Sequence, residues 1–252
     1  MESNLVYPAG TTQANRHAAQ YLKASGIPII DHPSPEVTCL LLDVPSFGSN
    51  GTLRGGGDLE QLLAMLPPDI TVVGGNLQHP ALAQYRKLDL LQDAHYVSVN
   101  AAITADCALR VAGERLPVVF RDCPVLIIGW GRIGKCLGQM LKALGAKVTI
   151  GARKTVDRAM LTALGYEAVD TAGLESHLSQ FRVIFNTAPE KILSGEALAQ
   201  CRSCLKIDLA SKQCLEGSDV IWAKGLPGIH APESSGALIG KTLIRKIGEE
   251  GK

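Results

Sequence analysis

A chain of 252 residues with 46% hydrophobic and 19% charged residues is long enough for one large or two modest cores and too apolar to stay disordered. Its 25 basic and 24 acidic side chains leave a net charge of +1, which provides no field for nucleic acid or a membrane surface. No uninterrupted apolar run approaches the ~18 residues of a spanning helix, and Met1-Glu2-Ser3-Asn4 lacks the basic flank and apolar core of a leader. A cytoplasmic protein is expected.

The chain opens with a short strand, Leu5-Val6-Tyr7. Thr11 or Thr12 then caps a helix whose apolar residues are Ala14, Ala18, Tyr21 and Leu22, and Gly26 ends it. Strands at 27–30, 38–42 and 70–73 and a helix at 59–66 follow, and strand–helix alternation of this kind builds a small parallel sheet. Between the third strand and its helix lies a loop, 46–57, too glycine-rich to pack, at the strand end where ligand loops of such sheets lie. A further helix is expected at 82–91 and a strand at 95–99. Asn100 then either caps the helix 101–112 or meets substrate at a hinge between a first domain, 1–99, and a second, 100–252.

The second domain is organised around Pro124-Val125-Leu126-Ile127-Ile128-Gly129-Trp130-Gly131-Arg132-Ile133-Gly134-Lys135, an apolar run of strand length feeding G-x-G-x-x-G and then a helical pattern. Gly129 allows the sharp turn, Gly131 removes the side chain where a pyrophosphate approaches, and Gly134 lets the helix lie against the strand; the helix N-terminus offers its N–H groups to phosphate. Ile133, Leu137, Met140, Leu141 and Leu144 make one stripe that stops at Gly145, and a second strand follows at 147–150.

The tip of that second strand reads Gly151-Ala152-Arg153-Lys154. An acid there would hold the ribose 2′-hydroxyl of NAD, whereas two cations suit a 2′-phosphate, so NADP is expected first and NAD second. Residues 129–134, Arg153 and Lys154 are therefore the expected cofactor ligands, Trp130, Arg132 and Ile133 included.

Farther on, helices at 156–164 and 173–178 flank a strand at 166–169, and a buried strand at 182–185 ends in Asn186-Thr187-Ala188-Pro189, a polar pair with a proline-fixed turn placed to contact the cofactor. The strand 205–212 carries Asp208, Ser211 and Lys212 toward the same strand ends. After a last strand at 220–222, two prolines and three glycines make 225–236 a fixed loop before a C-terminal helix, 233–248, that returns toward the first domain. Seven cysteines scattered along apolar segments read as buried, reduced thiols, and Cys201-Arg202-Ser203-Cys204 as thiols at a strand start. The fold class is α/β, with two Rossmann-like domains whose parallel sheets carry helices on both faces.

Taken together, Gly129 to Gly134, Gly151-Ala152-Arg153, Asn186-Thr187 before a proline, Ile207-Asp208-Leu209-Ala210-Ser211-Lys212, and Gly225-Leu226-Pro227-Gly228 with Ala231-Pro232 resemble the A-chain family of dipicolinate synthases. The chain departs from that pattern at Gln213-Cys214-Leu215, where the family carries a proline and paired glycines, and at Glu233, where it carries a base. The resemblance implies an NAD(P)-dependent oxidoreductase that completes a pyridine ring from a dihydrodipicolinate-type precursor during sporulation in the mother cell. It also implies a partner, a flavoprotein-like B subunit, and homo-oligomeric assembly. Such an enzyme must hold two carboxylates and remove a proton. Lys212, Asn100, Thr11, Thr12, Ser211, Gly228, Ser234 and Ser235 are the expected substrate ligands; His230 is the expected proton acceptor, since imidazole is the side chain that exchanges protons near neutrality, with Asp208 and Lys212 beside it. Two alternatives are a 2-hydroxyacid dehydrogenase-like enzyme, for which no arginine stands in a convincing place, and a non-catalytic nucleotide-binding subunit.

Overall fold

The structure is a computed structural model that describes residues 4–250. The chain forms two compact units, one containing residues up to Asn100 and from Pro227 onward, the other Ala101–Leu226. Each is a parallel sheet flanked by helices.

In the first unit β1 (Val6–Pro8), β2 (Cys39–Leu41), β3 (Thr71–Gly74) and β4 (Arg86–Asp89) form a parallel sheet in that order. Helices α1 (Gln13–Ala24) and α2 (Leu59–Ala64) follow β1 and β2, started by Thr12 and Asp58, whose side chains accept hydrogen bonds from the first-turn N–H groups. Leu40, Leu42, Leu59, Leu63, Val72 and Leu77 fill the core beneath. The expected strand at 27–30 is reduced to one bridge between Ile29 and Val6.

Two expectations for this unit are corrected. Residues 82–91 are not a helix but the edge strand β4 between single 3₁₀ turns, because Asp89 gathers the N–H groups of Asn76, Leu77 and Leu91 and pins the segment beside β3. The strand expected at 95–99 is the start of α3 (Ala94–Gly113), whose first turn is capped by Asp93 through the Tyr96 N–H at 2.7 Å. Tyr96, Ala101, Ala105, Ala108 and Ala112 are buried along it at helical spacing, which overrides the β-branched valines.

In the second unit the strands are β5 (Pro124–Ile128), β6 (Lys147–Gly151), β7 (Glu167–Val169), β8 (Val183–Asn186), β9 (Leu205–Asp208) and β10 (Val220–Trp222). They pair in the order β10-β9-β8-β5-β6-β7, all parallel, so the strand order reverses between β5 and β8. That is the doubly wound plan, whose ligand crevice lies at the strand ends beside the reversal. Helices α4 (Arg132–Ala143) and α5 (Thr155–Ala163) carry the crossovers from β5 and β6, and Ser194 caps the shorter α6 (Gly195–Gln200). Leu126, Ile128, Ile184, Leu198 and Phe181 form the core together with Cys201 and Cys204. Burial pushes the Cys204 thiol up to about 12, as suits a packing residue and not a nucleophile.

The glycine- and proline-rich stretch expected as a fixed loop contains a short helix, α7 (Leu226–His230), ahead of α8 (Pro232–Glu250). The latter belongs to the first unit and not, as the 100–252 division implied, to the second. Gly236 and Gly240 explain this: a Cβ on Gly236 would stand 2.6 Å from the Ala14 carbonyl oxygen, and one on Gly240 would stand 2.7 Å from the Tyr21 ring, so α8 lies directly against α1. Arg245 and Lys246 then reach Asp93 at 2.8 and 3.4 Å.

Candidate functional site

Sequence dictates the turn after β5 almost atom by atom. Gly129 has φ +103°, a conformation that side chains resist, and a Cβ on it would stand 2.6 Å from Thr187 Oγ1. A Cβ on Gly134 would stand 2.3 Å from the carbonyl oxygen of Gly129, so α4 is seated against the turn as closely as backbone allows. Gly131 differs from both: a Cβ there meets nothing within 4 Å, although the residue caps α4 and no side chain caps the helix. Open space in front of first-turn N–H groups is what a pyrophosphate requires. The cradle thus fits a dinucleotide on its own geometry.

Beside the turn a cavity of about 200 Å³ is lined by Gly129, Trp130, Ala152, Arg153, Lys154 and residues of the turn after β8. Arg153 lines it, and residues 151–154 at the tip of β6 include no acid, although Asp157 and Glu190 line the same cavity. Arg153 Nη1 sits 3.0 Å from Glu190 Oε2, a pairing that spacing along the chain does not disclose. Arg158 meanwhile donates to the carbonyl oxygens of Ala152 and Arg153 at 2.8 and 2.7 Å and pairs with Asp170, fixing the backbone beneath Arg153. Arg132 and Ile133 open α4, and Trp130 packs edge-on against Tyr166 with ring centroids 5.8 Å apart.

The tips of β8 and β9 tie three expected site residues into the fold. Asn186 is 1% exposed; its Nδ2 donates to Asp208 Oδ1 and to the Ala188 carbonyl oxygen, and its Oδ1 accepts from the Ala188 N–H. Thr187 Oγ1 donates to the carbonyl oxygens of Ile128 and Gly129 at 3.0 and 3.3 Å. Both side chains hold the glycine turn and its neighbour in place. Asp208 is fully buried, and its carboxylate receives Asn186 Nδ2 and the N–H groups of Ala210, Cys214 and Leu215. With three donors from the turn that follows it and the fourth from the neighbouring strand tip, it is a positioning residue that shapes the turn bearing Ser211 and Lys212, both exposed. Gln213-Cys214-Leu215 keeps that turn's backbone bonds to Asp208. Lys206, the buried residue two before Asp208, donates to the Cys201 carbonyl oxygen at 2.8 Å and pairs with Asp219 at 2.5 Å.

In the first unit Thr11 and Thr12 converge on Asp43. Thr12 Oγ1 donates to Oδ1 at 2.5 Å and accepts from the Asn15 N–H at 3.2 Å; the Thr11 N–H and hydroxyl reach Oδ2 at 3.0 and 3.4 Å. The Thr12 hydroxyl is thereby committed to the fold. Asn100 is neither a cap nor the start of a helix, for it lies inside α3. His230 is half-buried at the end of α7, Gly228 lies inside the same short helix, and the Ala231 N–H donates to the Pro227 carbonyl oxygen at 3.0 Å. Ser234 is exposed in the first turn of α8, while Ser235 is 6% exposed and its N–H bonds the Ala231 carbonyl oxygen, so it serves helix packing. Among the described residues no helix is long and apolar enough to cross a membrane.

No family model matches the chain. It is 28% identical over 183 residues, 69% of its length, to the A subunit of dipicolinate synthase from Bacillus subtilis (strain 168). That match spans 62% of the length of the curated relative. Among solved structures, the dipicolinate synthase A subunit from Bacillus halodurans superposes with a TM-score of 0.83 at 20% identity, covering 98% of each chain. A transhydrogenase from Sinorhizobium meliloti superposes with a TM-score of 0.73 at 13% identity, covering 96% of this chain and 93% of that one.

Proposed function

We propose that the chain is an NAD(P)-dependent oxidoreductase of the dipicolinate synthase A type, converting a dihydrodipicolinate-type precursor to dipicolinate. The observation that carries this reading is the open cradle at Gly131 in a chain that resembles the A subunit of dipicolinate synthase. NADP is the first choice of cofactor, since the tip of β6 presents Arg153 and Lys154 and no acid; NAD is the second. A nicotinamide, when bound, accepts a hydride from a ring carbon of the substrate. The chain's own groups supply the rest. The N–H groups that open α4 hold phosphate, and Lys212, on the turn fixed by Asp208, meets a substrate carboxylate. The proton that leaves as the ring becomes aromatic needs an acceptor, and imidazole, the side chain of His230, is the type suited to that near neutrality. Loss of one hydride and one proton balances the conversion of a dihydropyridine to a pyridine.

Partnership with a flavoprotein-like B subunit, assembly with further copies of the same chain and a cytoplasmic place in a sporulating mother cell belong to the same proposal and rest on the resemblance. Burial of Asp208 moves the chemical weight onto His230 and Lys212, and a chain that binds nucleotide without turnover is the reading it must beat. Incubating the purified chain with NADP or NAD and freshly generated dihydrodipicolinate separates them. Nucleotide-dependent growth of pyridine absorbance is expected; nucleotide binding without any pyridine, with or without a B subunit, would establish the non-catalytic reading.

A further inference from the structure

The Arg153–Glu190 pair spans the site in a way neither residue discloses alone. Glu190 follows β8 and Arg153 follows β6, and the sheet order puts β5 between those strands. The 3.0 Å contact therefore crosses the end of β5, where Gly129 and Trp130 line the same cavity. Each side chain is largely exposed, at 72% and 60%, so the pair contributes little to folding and can exchange partners. A second carboxylate, Asp157 in the first turn of α5, lines the cavity as well.

We propose that Glu190 is the specificity-determining residue of the nucleotide site, competing with the 2′-phosphate of NADP for Arg153 and so limiting how far the chain favours NADP over NAD. The inference rests on the dinucleotide reading above. A guanidinium offers its fork to one planar anion at a time, and a carboxylate left beside a phosphate repels it in a partly desolvated cavity. NAD carries hydroxyls at that ribose, and hydroxyls donate to a carboxylate. Glu190 thus does from the end of β8 what an acid at the end of β6 does in sites that select NAD. Sequence alone hides this, because an acid after Asn186-Thr187-Ala188-Pro189 stands far along the chain from the position at which cofactor choice is normally read.

The test is titration of the full chain with NADP and, separately, NAD, followed by quenching of tryptophan fluorescence in a Trp222→Phe background, which leaves Trp130 as the emitter, and by calorimetry, so that no turnover is needed. Glu190→Gln keeps the shape of the side chain and removes its charge. Tighter NADP binding by about tenfold relative to NAD is expected, the scale of one like-charge contact close to the phosphate. Glu190→Asp should retain the wild-type ratio, and in an Arg153→Ala background Glu190→Gln should shift the ratio in the same direction but by less, since the competition for the guanidinium is gone and only the direct repulsion of the phosphate is relieved. An unchanged ratio, or a parallel change for both nucleotides, would overturn the role of Glu190 while leaving the dinucleotide site intact. Failure of the wild-type chain to bind either nucleotide would overturn the dinucleotide reading itself and this inference with it.

Discussion

Asn186 Nδ2 donates to Asp208 Oδ1 at 2.9 Å, and this bond joins the tips of two neighbouring strands at residues that are register partners in the sheet. Through it the turn after β8, which supports the glycine cradle, and the turn after β9, which carries Lys212, share one buried carboxylate. Asp208→Asn replaces an acceptor oxygen by an NH₂ facing N–H donors. Stability should fall by roughly 1–3 kcal/mol, read as a lower urea midpoint at constant m-value. A variant of wild-type stability that had lost only turnover would return Asp208 to the chemistry.

Two glycines of the cradle should separate under substitution. Gly131→Val introduces a side chain into open space, at φ −81°, so the fold should survive with wild-type circular dichroism and melting while nucleotide titration shows no binding. Gly134→Val drives a side chain into the Gly129 carbonyl oxygen 2.3 Å from its Cβ, and should cost several kcal/mol or prevent folding. Undiminished nucleotide affinity in Gly131→Val would leave the cradle a structural turn.

How much of this was legible follows from how local each signal is. The turn after β5 declares itself because strand, glycines and helix are contiguous, and the structure gives each glycine a distinct environment. Charged edge strands are hard to read: Arg86-Lys87-Leu88-Asp89 has no apolar alternation, and its place in the sheet is set by Asp89 bonding to residues 12 and 13 positions away. The affiliation of α8 depends on Gly236 and Gly240, whose spacing of four hints at close helix packing but cannot name α1 as the partner. Asp208 looked functional because polar residues at strand ends usually face the crevice; its burial arises from three N–H groups that a turn brings back onto it. Polar character alone does not separate a ligand from a brace.

Acid should loosen the attachment of α8. Burial by itself pushes the Asp93 carboxyl up, but hydrogen bonds from Arg245 and the Tyr96 N–H, with Lys246 nearby, outweigh it and hold the group at about 2. An unfolded aspartate titrates near 3.9. Because the folded value is the lower one, the stabilisation is complete above the unfolded value and disappears as pH falls from about 4 toward 2. Stability should lose about 1–2 kcal/mol from this group over that window, and Arg245→Ala should flatten the loss. Denaturant midpoints measured at successive pH values for both proteins would show it; equal slopes would place the acid sensitivity elsewhere.

Lys212 tests the proposed substrate. Its side chain is exposed on the turn braced by Asp208, and its backbone carbonyl oxygen accepts from Cys214 Sγ at 3.3 Å, so the turn keeps its shape whatever the lysine is replaced by. Lys212→Ala should therefore leave melting and nucleotide affinity unchanged. If the ammonium holds a substrate carboxylate in ground and transition states alike, KM rises and kcat/KM falls by about tenfold or more with kcat near wild type, the scale of a lost charge-assisted bond. A collapse of kcat at constant KM would instead assign Lys212 to proton transfer and remove that role from His230. Wild-type kinetics would mark it as a solvated surface cation, as exposed charges commonly are, and would leave the carboxylates of the substrate to other groups.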